Sequence, residues 1–198
     1  MGMEEKELAE ALKAVEEELN LAKRVYLAFP FLFWAAVLPL LYLLTLILNS
    51  YAGISWDWAS SILSILVVAW FIVENERVFK KVEAIERVLG MKREKKKAYL
   101  VAQISAWIIS ALVASLAYTS EGEWMLAFVG LALLLMAAVD FVFVKRAEWE
   151  VLLGGLIILS SISLVGKLPL PRLALAVMVI SMAFAFVAFL YIRKAMRE

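Results

Sequence analysis

The sequence contains no cysteine and no histidine among its 198 residues. Without cysteine the chain can form no disulfide, and it gives no sign of its redox compartment. The usual catalytic base, the thiolate nucleophile and the soft-metal ligands are missing as well. No Gly-rich phosphate-binding loop is present, so nucleotide hydrolysis is not expected. We therefore expect no enzyme, no cofactor and no metal site.

Amide side chains are scarce too, because glutamine occurs once and asparagine three times. Few thermolabile residues beside abundant Glu, Lys, Val and Ile are typical of a thermophile protein. A very apolar membrane protein is also poor in amides, so that alternative stays open. The net charge of +1 leaves no broad basic bias. Nucleic-acid binding needs at least a basic surface stripe, so we expect no nucleic-acid partner.

Hydrophobic residues make up 65% of the chain, against roughly 45–50% in soluble domains. They fall in six blocks, which run over Tyr26–Leu48, Trp58–Val73, Ala98–Tyr118, Trp124–Val144, Val151–Gly166 and Leu173–Ile192. A helix needs about 20 residues to cross about 30 Å of hydrocarbon. The second block is short and the fifth is marginal, so the fifth could instead be re-entrant or tilted. The pattern predicts an all-α polytopic membrane protein, a single membrane domain over residues 1–198 with six transmembrane helices.

The placement of lysine and arginine predicts the orientation of these spans. Of the 20 cationic residues, all but Lys167 and Arg172 lie before the first block, after the sixth, or in the second-to-third and fourth-to-fifth connections. Cytoplasmic loops carry such an excess of cations, so both termini are expected in the cytoplasm of a multi-pass cell-membrane protein. The lipid bilayer is then an obligatory partner. Trp124 and Tyr118 fall at the expected outer interface, where aromatic residues form anchoring belts.

Two charged segments, residues 4–24 and 74–97, are expected to form cytoplasmic helices. Their apolar positions alternate in steps of four and three, the spacing of a coiled-coil seam. These positions are Leu8, Leu12, Val15 and Leu19 in the first segment, and Val78, Val82 and Ile85 in the second. Seven Glu and two Lys give residues 3–22 a net charge of −5, whereas nine cations and three Glu give residues 77–97 a net charge of +6. We expect antiparallel pairing within the chain; the alternatives are an intermolecular coil and contact of the basic segment with anionic lipid.

The first and third blocks open alike, which suggests an internal repeat. Tyr26 and Trp34 match Tyr99 and Trp107 at an offset of 73, and in the following helices Glu74 matches Asp140 at an offset of 66. Tandem hairpins of equal orientation would give this pattern, as in parallel-repeat transporters. The alternative is the generic use of basic residues and tyrosine at an inner interface.

Ionisable residues inside spans are costly and are therefore functional candidates, and here they are Glu74 and Asp140. They could form a carboxylate pair along a cation or proton path; alternatively, each is a helix-end charge that reaches the headgroups. Gln103 is a third candidate, since it and several serines give the third block the most polar face. Glycines and serines in the fifth block predict close helix packing.

Two classes of function remain. The chain could be a subunit of a transport or other membrane assembly, in which several copies or a partner membrane subunit complete a path for a small solute or ion. Alternatively, it could be a membrane anchor or scaffold whose cytoplasmic helical face docks a soluble protein partner. The first class predicts a polar cavity reached by Gln103 or the serines of the third block. The second predicts a dry bundle.

Overall fold

The fold was analysed in a computed structural model that describes residues 3–89, 96–145 and 148–196, and within these ranges every regular element is a helix. The helices are α1 (Met3–Ala52), α2 (Trp56–Val88), α3 (Lys96–Ala117), α4 (Glu121–Val144), α5 (Trp149–Ser160), α6 (Ile162–Val165) and α7 (Arg172–Ala195). Gly90, which the sequence suggests as the end of a helix, lies outside the described residues.

Five of the helices, α1, α2, α3, α4 and α7, are long and apolar enough to cross a membrane. The most apolar 18-residue stretch of each has a mean hydropathy between 1.8 and 2.7. The fifth apolar block forms a shorter helical stretch, Trp149–Val165, which a turn at Ser161 divides into α5 and α6. The Ser161 hydroxyl donates to the carbonyl of Ile157, 2.8 Å away, one turn earlier. These apolar helices are compatible with a membrane protein.

Helices α1 and α2 run antiparallel, as do α3 and α4, which gives the bundle two distinct ends. Lys23 of α1 lies beside Glu86 of α2, whereas Tyr42 of α1 packs on Trp56 at the start of α2. We call the end where α3 begins and α4 and α7 finish the charged end. The opposite end, with the α1–α2, α3–α4 and α6–α7 connections, is the turn end. Gly53, with φ of +66°, lies in the first of these connections.

The helices pack in the order α2, α1, α7, α4, α3, and α5 packs on both α4 and α7. Among the described residues, α2 packs on α1 alone and α3 on α4 alone, so both flanks keep wide apolar faces exposed. The core lies around α4 and α7, which have neighbours on several sides. It includes Leu126, Leu133, Ile158, Ile180, Phe184 and Val187.

Glycines allow α5 to approach its neighbours closely. A Cβ atom at Gly154 would lie 2.5 Å from Cγ2 of Val187 in α7. A Cβ atom at Gly155 would lie 3.0 Å from the carbonyl oxygen of Gly130 in α4. Gly154 and Gly155 therefore lie at tight helix contacts, whereas Ser160 and Ser163 of the same block are exposed.

Candidate functional site: a polar cluster at the charged end

Asp140 is the centre of a hydrogen-bonded cluster between α3 and α4. It is buried, with 8% of its surface exposed. The Tyr99 hydroxyl donates to its Oδ1 at 2.6 Å, and Nε2 of Gln103 donates to the same oxygen at 3.0 Å. Nε2 of Gln103 also lies 3.1 Å from the Tyr99 hydroxyl oxygen. A neighbouring helix thus supplies the polar surroundings that a carboxylate within an apolar run requires.

More carboxylates lie near Asp140, at the start of α5. Glu148 accepts a hydrogen bond from the Tyr191 hydroxyl of α7. Glu150, also 8% exposed, lies 3.0 Å from the Lys194 ammonium. The start of α5 and the end of α7 are therefore joined by polar contacts as well as by apolar packing.

Burial raises the pKa of the Glu148 carboxyl above its ordinary value. The negative charges of Asp140 and Glu150 raise this pKa further, whereas the Tyr191 hydrogen bond opposes the shift. Like charges close together disfavour each other's ionised form. The cluster can therefore hold a proton on Glu148 more readily than an isolated glutamate would.

Glu74, the other carboxylate suggested by the sequence, lies elsewhere. It pairs with Arg77 one turn along α2, with the guanidinium nitrogen 2.8 Å from Oε1. Because α2 packs on α1 and not on α4, the fold does not bring Glu74 and Asp140 together within the chain. Of the three candidate residues, the structure therefore joins Asp140 and Gln103 and separates Glu74.

The residues of the two predicted coiled-coil seams are buried to different extents. Val82 and Ile85 are buried, Val78 and Leu19 are half-buried, and Leu12 and Val15 are 63% and 53% exposed. The side chain of Leu8 lies outside the described residues. The prediction that Leu12 and Val15 are buried against α2 is thus wrong for the single chain.

The register of α1 and α2 explains why Leu12 and Val15 are exposed. Lys23 Nζ lies 2.9 Å from Glu86 Oε1, and the Lys81 ammonium lies 5.4 Å from the centre of the Tyr26 ring. Val82 and Ile85 are therefore beside the stretch of α1 around Tyr26. Since α2 ends at Val88, the part of α1 that carries Leu12 extends past it.

The two hairpins of the suggested repeat differ in the contacts of their matching residues. Tyr99 bonds to Asp140, but its counterpart Tyr26 lies against Lys81, and the counterpart of Asp140, Glu74, bonds to Arg77. The matching residues therefore have different partners in the two hairpins.

Three buried hydroxyls of the long helices form hydrogen bonds within their own helix. The buried hydroxyls of Thr45, Ser110 and Ser181 each donate to the carbonyl four residues earlier on their own helix, at 2.7–2.8 Å. Ser115 instead accepts a hydrogen bond from the indole nitrogen of Trp124. The three buried hydroxyls are therefore occupied within their own helices.

Sequence reasoning missed Tyr99, Glu148 and Tyr191 as members of the cluster. Tyr99 had a usable signal, since it lies four residues before Gln103 and hence on the same helix face. Glu148 and Tyr191 are 43 residues apart and carry no local signal. Within the described ranges, no three acidic side chains are arranged to hold a metal ion.

No family model matches the chain, and neither a curated protein nor a solved structure shows detectable similarity to it.

Proposed function

We propose that the protein is a six-span membrane scaffold that docks a soluble cytoplasmic partner. In addition to the five long helices, α5 and α6 together would form a span, since their 17 residues rise about 25 Å. Two contacts support this assignment: Glu150 pairs with Lys194 at the charged end, and Gly166 lies near Glu123 at the turn end. The stretch therefore runs from one end of the bundle to the other. Together with the distribution of cations, this supports a topology in which both termini and the charged end face the cytoplasm.

The single observation that carries the proposed scaffold function is that residues 10–18 of α1 are exposed and, among the described residues, lie beyond the end of α2. This helix has 50 residues and continues past the end of α2. It presents Leu12 and Val15 at seam spacing, both exposed. Exposed apolar residues at such spacing are what a partner helix packs against.

The charge around this seam indicates the chemistry of the partner. Glu10, Glu16, Glu17 and Glu18 are exposed on the same part of α1, where Lys13 is the one cation between residues 10 and 22. Lys13 lies 3.8 Å from Glu17, within the same helix. A basic amphipathic helix complements both the apolar seam and the negative charge. The occupant is therefore proposed to be a basic helical segment of a soluble protein.

Site-specific photocrosslinking in native membranes tests this docking. A photoreactive residue at Leu12 should give a discrete crosslinked species, and the same residue at Glu17, on the opposite helix face, should not. High salt should weaken the Leu12 crosslink because screening reduces charge attraction. Crosslinking that is equal at both positions, or absent at both, would contradict the scaffold. A species with twice the mass of the chain would assign the seam to a homo-oligomer instead.

A thiol-accessibility experiment tests the orientation separately. The chain has no native cysteine, so Ser120→Cys and Lys92→Cys each introduce a single reporter. An impermeant thiol reagent added to intact cells should label Ser120→Cys and spare Lys92→Cys. Labelling of Lys92→Cys would reverse the topology, whatever the outcome of the crosslinking.

A role as a transport subunit is a second candidate, favoured by the burial of Asp140 and its contacts with Tyr99 and Gln103. A buried carboxylate within an apolar helix is a candidate member of a proton or cation path. The path would have to be completed by other copies or by a partner membrane subunit. Asp140→Asn should then fold normally yet abolish proton- or cation-coupled flux in reconstituted vesicles. Vesicles without flux for either form would reject this candidate.

A further inference from the structure

A cavity of about 380 Å³ lies at the turn end, where α3 finishes and α4 and α7 begin. Small-molecule sites have volumes of roughly 300–1,000 Å³. The lining combines two aromatic rings, a carboxylate, two aliphatic hydroxyls and two apolar side chains, which are Tyr118, Trp124, Glu121, Ser115, Thr119, Met125 and Leu173. The cavity lies at the opposite end of the bundle from the cluster around Asp140.

The indole of Trp124 is held in place before any ligand arrives. Its Nε1 donates to the Ser115 hydroxyl at 3.0 Å. Its ring stacks on Phe128, with centroids 5.2 Å apart and planes 21° from parallel. One edge and one face of the indole are therefore occupied, and the remaining surface contributes to the cavity. An aromatic wall fixed in this way loses little further freedom on binding.

The two carboxylates in the first turn of α4 have different environments. Glu123 lies 3.5 Å from the guanidinium of Arg172. Glu121 lines the cavity, is exposed, and forms no ion pair with any residue that the structure describes. The negative charge at the cavity is therefore uncompensated and lies beside aromatic rings.

We propose that this cavity binds an ammonium group. A cation over an aromatic face is attracted by the ring quadrupole, and aromatic sites that recognise quaternary ammonium exploit this attraction. Glu121 would supply the countercharge, Trp124 and Tyr118 the aromatic walls, and Met125 and Leu173 contacts for alkyl substituents. This site is independent of the partner docking proposed for the other end of the molecule.

The ammonium could belong to a free solute or to a lipid headgroup, and binding of choline tests the shared chemistry. The purified full chain in an uncharged detergent is titrated with choline by ligand-observed NMR. The matched control is the uncharged analogue in which carbon replaces the choline nitrogen. The lipid arm uses nanodiscs of mixed phosphocholine and phosphoglycerol lipids, followed by native mass spectrometry of the lipids retained by the protein.

Two pairs of variants identify the site in both arms. Glu121→Gln and Trp124→Leu should each weaken binding by roughly 2- to 30-fold. Glu123→Gln changes the neighbouring carboxylate outside the cavity lining, and Trp58→Leu removes an exposed tryptophan of α2. Both controls should leave binding unchanged.

Choline binding that is sensitive to Glu121 supports a free ammonium ligand. Retention of phosphocholine lipid that is sensitive to Glu121, without choline binding, supports a lipid headgroup. Equal binding of choline and its uncharged analogue would overturn the proposal, as would equal losses in the Trp124 and Trp58 variants. Absence of binding in both arms would overturn it too.

Discussion

The Tyr99 hydroxyl of α3 and the Asp140 carboxylate of α4 are joined by a 2.6 Å hydrogen bond at the charged end of the bundle. At the turn end, the indole of Trp124 on α4 donates to Ser115 on α3. Among the described residues, α3 packs on no helix other than α4. These polar contacts therefore fix the ends of a helix whose outer face is apolar and exposed.

Replacing Tyr99 by phenylalanine should loosen the α3–α4 pair. The change removes one donor from Asp140, while Gln103 still donates to the same oxygen. A hydrogen bond to a charged group contributes about 1.5–3 kcal/mol. Thermal unfolding in detergent should show a lower Tm than wild type. Tyr51→Phe is the control, since Tyr51 is 89% exposed, and it should leave the Tm unchanged. Equal Tm values for Tyr99→Phe and wild type would mean that the hydrogen bond contributes nothing to stability.

The Lys23–Glu86 ion pair should be the strongest polar contact between α1 and α2. Its side chains are only 12% and 9% exposed. Loss of one partner from a buried pair costs about 3–5 kcal/mol, because the other charge stays buried. Lys23→Met should therefore destabilise the hairpin strongly.

The pair formed by Lys80 and Glu76, with side chains 73% and 64% exposed, is the matched control. Lys80→Met should leave stability almost unchanged, since water and salt screen an exposed pair. Denaturant unfolding in mixed micelles measures both variants. Losses of similar size would show that burial does not set the strength of these pairs.

A side chain at Gly122 should lower the stability of the fold. A Cβ atom there would lie 2.5 Å from the carbonyl oxygen of Arg172, and a backbone atom can move only if α7 moves. Gly122→Ala should therefore cost about 1–3 kcal/mol, the typical cost of overpacking. At Gly166 the nearest atom is Oε1 of Glu123, at 3.0 Å, which belongs to a flexible side chain. Gly166→Ala should cost less, and a reversed order of the two Tm values would refute the close approach of α4 and α7.

Stability should fall as pH rises above the ordinary glutamate value of 4.5, because burial raises the pKa of Glu148 in the folded state. Between the ordinary and the raised pKa, the folded chain binds more protons than the unfolded chain, so deprotonation favours unfolding. Glu148→Gln cannot titrate and can keep a hydrogen bond to Tyr191. The Tm of this variant relative to wild type should therefore increase with pH. Exposed Glu17→Gln is the control; a Glu148→Gln curve parallel to wild type would contradict the raised pKa.

The helical, apolar character of the chain follows from the sequence alone. Lipid can cover apolar helices that are too long and too uniformly apolar to be buried in a soluble protein. Composition and block length therefore predict long apolar helices without knowledge of their neighbours. The isolated carboxylate of Asp140 was identifiable for a related reason. A charge within an apolar run must meet a polar group, whatever the fold.

The partners of these residues were decided by the tertiary structure. Seam spacing predicts that Leu12 and Val82 each lie on an apolar helix face, but spacing is periodic and leaves the register between two helices undetermined. The Lys23–Glu86 contact sets that register, and it buries Val82 while leaving Leu12 exposed beyond the end of α2. Likewise, only the packing of α7 against α5 brings Tyr191 to Glu148, since residues 43 positions apart share no local periodicity. Local pattern thus determines which face of a helix is apolar, and long-range packing determines what that face meets.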